Sequence, residues 1–169
     1  MSGIIVSVIV PFLESNNKLI DTLSSISDQK NISQDNIEVL IVDATENTAS
    51  KGTIANMPMC KVIHAKAVEC FADACNLAAS KAVGRYITVC NCGDTFSNNY
   101  FEDCVKIFDK KAEIPFVAGH RFCVNPVFRE KKEFRLNKGH IESGIVSLFD
   151  NPNLINLELT GTFYKAEIF

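Results

Sequence analysis

Two runs in this chain, Ile4-Ile-Val-Ser-Val-Ile-Val10 and Ile37-Glu-Val-Leu-Ile-Val42, are almost unbroken stretches of apolar and β-branched residues. A strand with one wet face alternates apolar with polar residues, whereas a strand covered on both faces has no need to. The two runs therefore predict central strands of a parallel sheet, whose crossovers are normally helices. Pro11 is expected to stop the first strand. Helical spacing follows at Leu19, Ile20, Leu23 and Ile26, with Ser15 or Asn16 placed to cap the helix. A second amphipathic stretch covers 69–82, with Phe71, Ala74, Cys75, Ala78 and Ala82 on one face and Gly84 to end it. A third helix carries Phe101, Cys104, Val105 and Phe108 on its buried side. Further strands are expected at 61–64, 85–90, 114–124 and 159–164, an edge strand or hairpin arm at 126–135, and a short helix near 141–149. Strands alternating with helices at this spacing imply right-handed βαβ units, and 169 residues fit a single domain.

Composition removes several function classes. The net charge is −3, and the one basic run, Arg129-Glu-Lys-Lys-Glu-Phe-Arg135, is interrupted by acids. It reads as a solvated face, and the chain carries no electrostatic footprint for nucleic acid. No apolar run approaches the roughly 20 residues that span a bilayer. The opening segment lacks the basic region and cleavage site of a signal peptide. Seven cysteines, an odd number set mostly among apolar neighbours, indicate reduced thiols and a cytoplasmic setting. Cys90 and Cys92 form a C-x-C with no second pair at zinc-ligand spacing. A Cys–His nucleophile pair stays open at this point, since such partners need only meet in space.

In open α/β sheets ligands lie at the carboxyl ends of the strands. That singles out Pro11 to Glu14, Asp43 to Thr45, and Asn91 to Asp94. The last of these ends Tyr86-Ile-Thr-Val-Cys-Asn-Cys-Gly-Asp-Thr-Phe96, where a β-rich run gives way to small, polar and acidic residues. Neither G-x-G-x-x-G nor G-x-x-x-x-G-K-[ST] occurs, so the dinucleotide fingerprint and the phosphate-cradling loop are both absent.

Taken in order, these segments resemble the family 2 glycosyltransferases. Val6-Ser-Val-Ile-Val-Pro-Phe-Leu-Glu14 is similar to that family's V-S-V-I-I-P-x-Y-N, and Leu23-Ser-Ser-Ile-Ser-Asp-Gln29 to its L-x-S-I-x-x-Q. Ile37-Glu-Val-Leu-Ile-Val-Asp43 resembles I-E-I-I-V-V-D, and the stretch from Asn76 to Gly84-Arg-Tyr-Ile87 resembles A-R-N…A-K-G-E-Y-I. Gly161-Thr-Phe-Tyr-Lys-Ala-Glu-Ile-Phe169 is similar to K-L-Y-K-R-E-L-F. The resemblance implies a Rossmann-like GT-A fold, a three-layer α/β/α arrangement with a mainly parallel sheet. It implies transfer of a hexose from a nucleoside diphosphate sugar, most simply a UDP-sugar, to a saccharide or lipid-linked acceptor. Asp43 matches the acid that accepts a hydrogen bond from the uracil imide, a role its acceptor-only carboxylate permits. An exposed loop acid that caps the following turn is the alternative for Asp43. Pro11 and Phe12 would flank the base or ribose with Glu14 nearby, and Asn76 and Asn91 would complete the nucleotide site. For Glu14, a plain strand-to-helix turn is an equal alternative.

The family's D-x-D supplies oxygen to a divalent cation, Mn2+ or Mg2+, that bridges the diphosphate. Asn91-Cys-Gly-Asp94 lies over D-S-D-D, so Gly93 stands where the principal ligand is expected, and only Asp94 keeps a carboxylate. Asp94 is either a weak metal ligand or the cap of a helix starting near Asn98 or of a turn before it. Two further departures surround the same cleft: D-D-G-S has become Asp43-Ala-Thr-Glu46, and A-R-N has become Ala74-Cys-Asn76. In the family, the acid that deprotonates the acceptor follows the last matched segment. The domain is therefore expected to stop before the acceptor and base region, to be inactive alone, and to leave the catalytic base unassigned. A longer protein would carry any membrane-associated tail, and an exposed apolar face would favour a homo-oligomer. The alternative reading is a non-catalytic glycosyltransferase-like binding or scaffolding module. A small nucleotidyltransferase is disfavoured, because Pro11-Phe-Leu-Glu-Ser15 has neither glycine nor cation.

Overall fold

Val6–Phe12 forms β1 and Ile37–Asp43 forms β2, and every residue of both strands is buried. Burial on both faces is what their unbroken apolar sequences predict. The computed structural model describes residues 3–14, 18–45, 54, 57–119 and 159–169, with the backbone alone at 121–124 and 131–134. The remaining strands are β3 (Cys60–His64), β4 (Tyr86–Val89), β5 (Phe116–Ala118), β6 (Arg121–Val124), β7 (Lys131–Phe134) and β8 (Thr162–Lys165). Among the described residues, the helices of two turns or more are α1 (Leu19–Ser27), α2 (Phe71–Ala79) and α3 (Tyr100–Lys110). Six strands form the main sheet in the order β3-β2-β1-β4-β8-β5, and β6 pairs with β7 separately. The β3-β2-β1-β4 block is parallel, while β8 runs antiparallel to both of its neighbours.

The sheet separates two apolar layers. On one face Val6, Val8, Val10 and Phe12 pack with Leu19, Leu23 and Ile26 of α1 and with Phe101, Cys104 and Phe108 of α3. On the other, Ile9, Leu40, Val42, Ile87 and Val89 meet Ala74, Cys75 and Ala78 of α2. The small residues of α2 let that helix lie close to the strands. Three layers and a mainly parallel sheet are what the sequence led us to expect.

Several boundaries differ from that expectation. Pro11 does not stop β1; the strand runs on to Phe12, pairing Pro11 with Val42 and Phe12 with Asp43. The reason is geometric. The Ile9 carbonyl faces β4 and accepts from Cys90 N–H at 2.9 Å, and Pro11, two residues on, faces the same side beyond the last β1–β4 pair. The missing N–H of proline therefore falls where no ladder bond is due. The 114–124 stretch is two strands in two sheets. It leaves the main sheet at Gly119, where the Tyr100 ring abuts the glycine so closely that a Cβ has no room. The residue preceding α1 is Lys18, whose side chain makes no capping bond. Ser15, Asn16, Glu46 and the expected 141–149 helix lie outside the described residues. Asp94 does not cap α3, which begins at Tyr100 after Asn99.

The amino-terminal edge of the sheet is closed by a buried polar cluster. Glu38, 1% exposed, accepts from Ser7 Oγ at 2.6 Å, Lys61 Nζ at 2.7 Å and Val83 N–H at 2.8 Å. Ser7 Oγ accepts in turn from Gly84 N–H at 2.9 Å. Burial pushes the Glu38 carboxyl up, but the three donors more than offset it and hold it below the ordinary value of 4.5.

Candidate functional site

At the opposite edge, the carboxyl ends of β1, β2, β3 and β4 lie side by side. Strand register sets Phe12 beside Asp43 and Asp43 beside His64. The loops leaving these strands are stitched back to them. Ala44 N–H donates to the Phe12 carbonyl at 3.1 Å, and Ala65 N–H to the Asp43 carbonyl at 3.0 Å. Asp43 is buried, and its Oδ1 accepts from Thr45 N–H at 2.9 Å and Thr45 Oγ1 at 2.6 Å. Its Oδ2 stands 3.9 Å from His64 Nδ1, whose side chain is largely exposed. Asp43 thus does cap the turn after β2, but as a buried strand-end residue and not as the exposed loop acid of the alternative reading. A carboxylate has about four acceptor sites, so capping with Oδ1 leaves acceptor capacity on Oδ2.

After β4 the chain makes a tight turn over Asn91–Asp94. Asp94 N–H donates to the Asn91 carbonyl at 3.0 Å, and Gly93, the third residue of the four, has φ +100°. A positive φ at that position is the mark of a type II turn and is what glycine supplies. Asn91 Nδ2 donates to Asp94 Oδ2 at 3.2 Å, and both residues are exposed. Thr22 of α1, fully buried, pins the turn from below. Its Oγ1 accepts from Gly93 N–H at 2.8 Å and donates to the Asp94 carbonyl at 2.8 Å. The Cys90 thiol also reaches the Asn91 and Asp94 carbonyls, at 3.6 Å each.

The same edge of α1 holds the segment that follows. Ser25 Oγ accepts from Phe96 N–H at 3.2 Å. Gln29 Nε2 donates to the Ser97 carbonyl at 2.8 Å, and its Oε1 accepts from Phe101 N–H at 3.0 Å. Thr22 and Ser25 of α1 and Gln29, two residues past its end, continue one helical spacing, so they form one polar seam beside the apolar face of the helix. This seam explains the serine and glutamine of the L-x-S-I-x-x-Q segment: they satisfy the backbone of the chain that carries the site into α3.

Of the residues singled out from sequence, Phe12, Asp43, Asn91 and Asp94 sit at the ends of β2, β1 and β4, three adjacent strands. Pro11 is buried beside them, and Glu14 is exposed just past β1. Asn76 stands apart on the solvent side of α2. Sequence reasoning missed His64, Thr22 and Lys18. His64 ends the third strand and was findable by the strand-end argument used for the other three. Thr22 and Lys18 act on a turn more than seventy residues away, which spacing along the chain does not reveal. Thiol chemistry finds no support in three of the cysteines. Burial pushes Cys60 and Cys75 up to about 11 and Cys104 up to about 12, so all three stay protonated at neutral pH.

The donor set for a divalent cation is poor. Among the described residues, no group of three His, Cys, Asp or Glu side chains is arranged to hold a metal. Gly93 offers no ligand, and Asp94 is the single carboxylate of the turn, engaged by Asn91. Mg2+ and Mn2+ want hard oxygen ligands in near-octahedral array. The turn as built does not fit such an ion.

The model of glycosyl transferase family 2 matches residues 7–168 of the chain. No curated protein matches it significantly. Among solved structures, residues 1–349 of S. aureus TarS share the fold with a TM-score of 0.75 at 17% identity, over 98% of this chain and 48% of that one. The same protein in complex with UDP-GlcNAc gives 0.75 at 18% identity, over 98% and 46%. The mannosyltransferase PcManGT from Pyrobaculum calidifontis, in complex with GDP-Man and Mn2+, gives 0.59 at 18% identity, over 67% and 34%. At such identities the likeness is one of fold, and the chain spans about half the length of the TarS structures.

Proposed function

This chain belongs to glycosyl transferase family 2 and has the GT-A arrangement, and from that premise we propose that its sheet edge binds a nucleoside diphosphate sugar. It would serve as the donor half of an enzyme that transfers a hexose to a saccharide or lipid-linked acceptor. The observation that carries this reading is the convergence of Phe12, Asp43 and the Asn91–Asp94 turn on adjacent strand ends, with α1 holding the turn in place. In this reading Asp43 Oδ2 accepts from the base imide, while Pro11 and Phe12 flank base and ribose. Glu14 borders the site, and Asn91 and Asp94 face the diphosphate, while Asn76 has no place in this reading. The UDP-GlcNAc and GDP-Man complexes of the fold neighbours support a nucleotide sugar as the ligand class.

Because the turn does not fit a divalent cation, no step is routed through one. The work of these residues is binding and orientation, and no catalytic base is assigned. A non-catalytic binding or scaffolding module is the second reading, favoured by the glycine at the expected ligand position. A cytoplasmic setting accords with the thiols, none of the six described cysteines being in a disulfide. None of the described helices is long and apolar enough to cross a membrane.

Calorimetric titration with UDP-sugars and GDP-sugars tests the proposal. Saturable binding is expected, weakened about tenfold in Asp43→Asn, which keeps the oxygen that caps Thr45 but loses carboxylate character. Absence of heat from every nucleotide sugar contradicts it.

A further inference from the structure

Strand register lines up three side chains across the edge that holds the candidate site. Phe12, Asp43 and His64 are partners in β1, β2 and β3. The two-residue period of a strand sends all three toward the layer of α1 and α3, because Val10, Ile41 and Val62, each two residues earlier, pack there. Asp43 is buried, whereas His64 ends β3, at one end of the strand order, with 58% of its side chain exposed. The 3.9 Å between Asp43 Oδ2 and His64 Nδ1 exceeds a hydrogen bond, so the pair does not close on itself. Of the two neutral imidazole tautomers, a carboxylate oxygen at that distance favours the one that carries its proton on Nδ1. The result is an acceptor beside a donor on one face of the sheet.

We propose that His64 reads the nucleotide base, its Nδ1–H donating to a ring carbonyl while Asp43 Oδ2 accepts from the adjoining ring N–H. The inference rests on the nucleotide-sugar reading above and specifies which bases the site accepts. Uracil and guanine each present a ring N–H next to a carbonyl, which matches an acceptor next to a donor. Cytosine and adenine present a ring-nitrogen lone pair next to an amino group. Their lone pair would meet the carboxylate, and their amino group would meet the imidazole N–H. Polar groups left unpaired in this way reject a mismatched ligand more strongly than an apolar pocket can.

The test is calorimetric titration with UDP, GDP, CDP and ADP of the wild-type chain, His64→Phe and His64→Asn. Phenylalanine keeps a flat ring without an N–H, asparagine returns an amide N–H near the place of Nδ1, and thermal midpoints verify that the fold is retained. UDP or GDP is expected to bind at least about tenfold more tightly than CDP and ADP. His64→Phe is expected to weaken the preferred diphosphate about tenfold without weakening CDP or ADP, and His64→Asn to recover most of the loss. His64→Phe binding the preferred diphosphate as tightly as wild type, or weakening all four alike, overturns the role of His64 and leaves the nucleotide reading standing. CDP or ADP binding as tightly as UDP and GDP overturns the acceptor–donor pair in the same way. Binding of none of the four overturns the nucleotide reading, and this proposal with it.

Discussion

At Gly93 the backbone stands at φ +100°, and any side chain added there runs into Lys18. Gly93→Asp is therefore expected to destabilise the fold by about 1–2 kcal/mol, seen as a thermal midpoint lowered by roughly 2–8 °C. The added carboxylate is displaced by the Lys18 stem, and Asp94 is engaged by Asn91, so Mn2+ affinity, followed by the paramagnetic resonance of the free ion, is not expected to rise. Gly84 fails in a harder way. Its Cβ would sit 2.6 Å from both Ser7 N and Ser7 Oγ and 2.9 Å from the Val6 carbonyl carbon. Backbone of a central strand cannot yield, and Gly84→Ala is expected to cost about 3 kcal/mol in urea unfolding. Thr88 presents the reverse case. Its Oγ1 is buried with no hydrogen-bond partner, in a strand between Val8 and Phe163. Valine has the same shape without the hydroxyl, and Thr88→Val is expected to stabilise by about 1 kcal/mol in the same assay.

Elements add cooperation that single residues do not show. The Glu38 cluster ties β1, β2, β3 and the α2–β4 loop together at one edge. The folded carboxyl lies below its ordinary 4.5, so its stabilising contribution is complete above that value. It is lost as pH falls through the still lower folded value. Urea midpoints measured from neutral pH down to about pH 3 are expected to fall less steeply in Glu38→Gln than in wild type. Lys61 is 59% exposed in this pair. Lys61→Met is expected to cost no more than about 1 kcal/mol, whereas Glu38→Ala, which strands buried donors, costs about 2–3 kcal/mol. The buried strands and the three helices were legible because each obeys one hydrophobic period over its whole length. What was not legible depended on distant partners. The break at Gly119 is set by the Tyr100 ring, the run of β1 through Pro11 by where β4 stops pairing, and the turn after β4 by Thr22 on another helix.

At the scale of the whole molecule, the two edges of one sheet differ in kind. The amino-terminal edge is sealed by a satisfied, buried carboxylate. The carboxyl-terminal edge ends in exposed polar groups at Glu14, His64, Asn91 and Asp94, beside the buried Asp43. That asymmetry is the basis for placing the ligand, and it accords with the rule for open parallel sheets. Its most direct test is the set of backbone amide resonances, followed while UDP or GDP is added. Saturable shifts are predicted at Phe12 to Glu14, Asp43 to Thr45 and Asn91 to Asp94, with Ser7, Glu38 and Val83 unmoved. Shifts confined to the Glu38 edge, or none that saturate, would contradict the account.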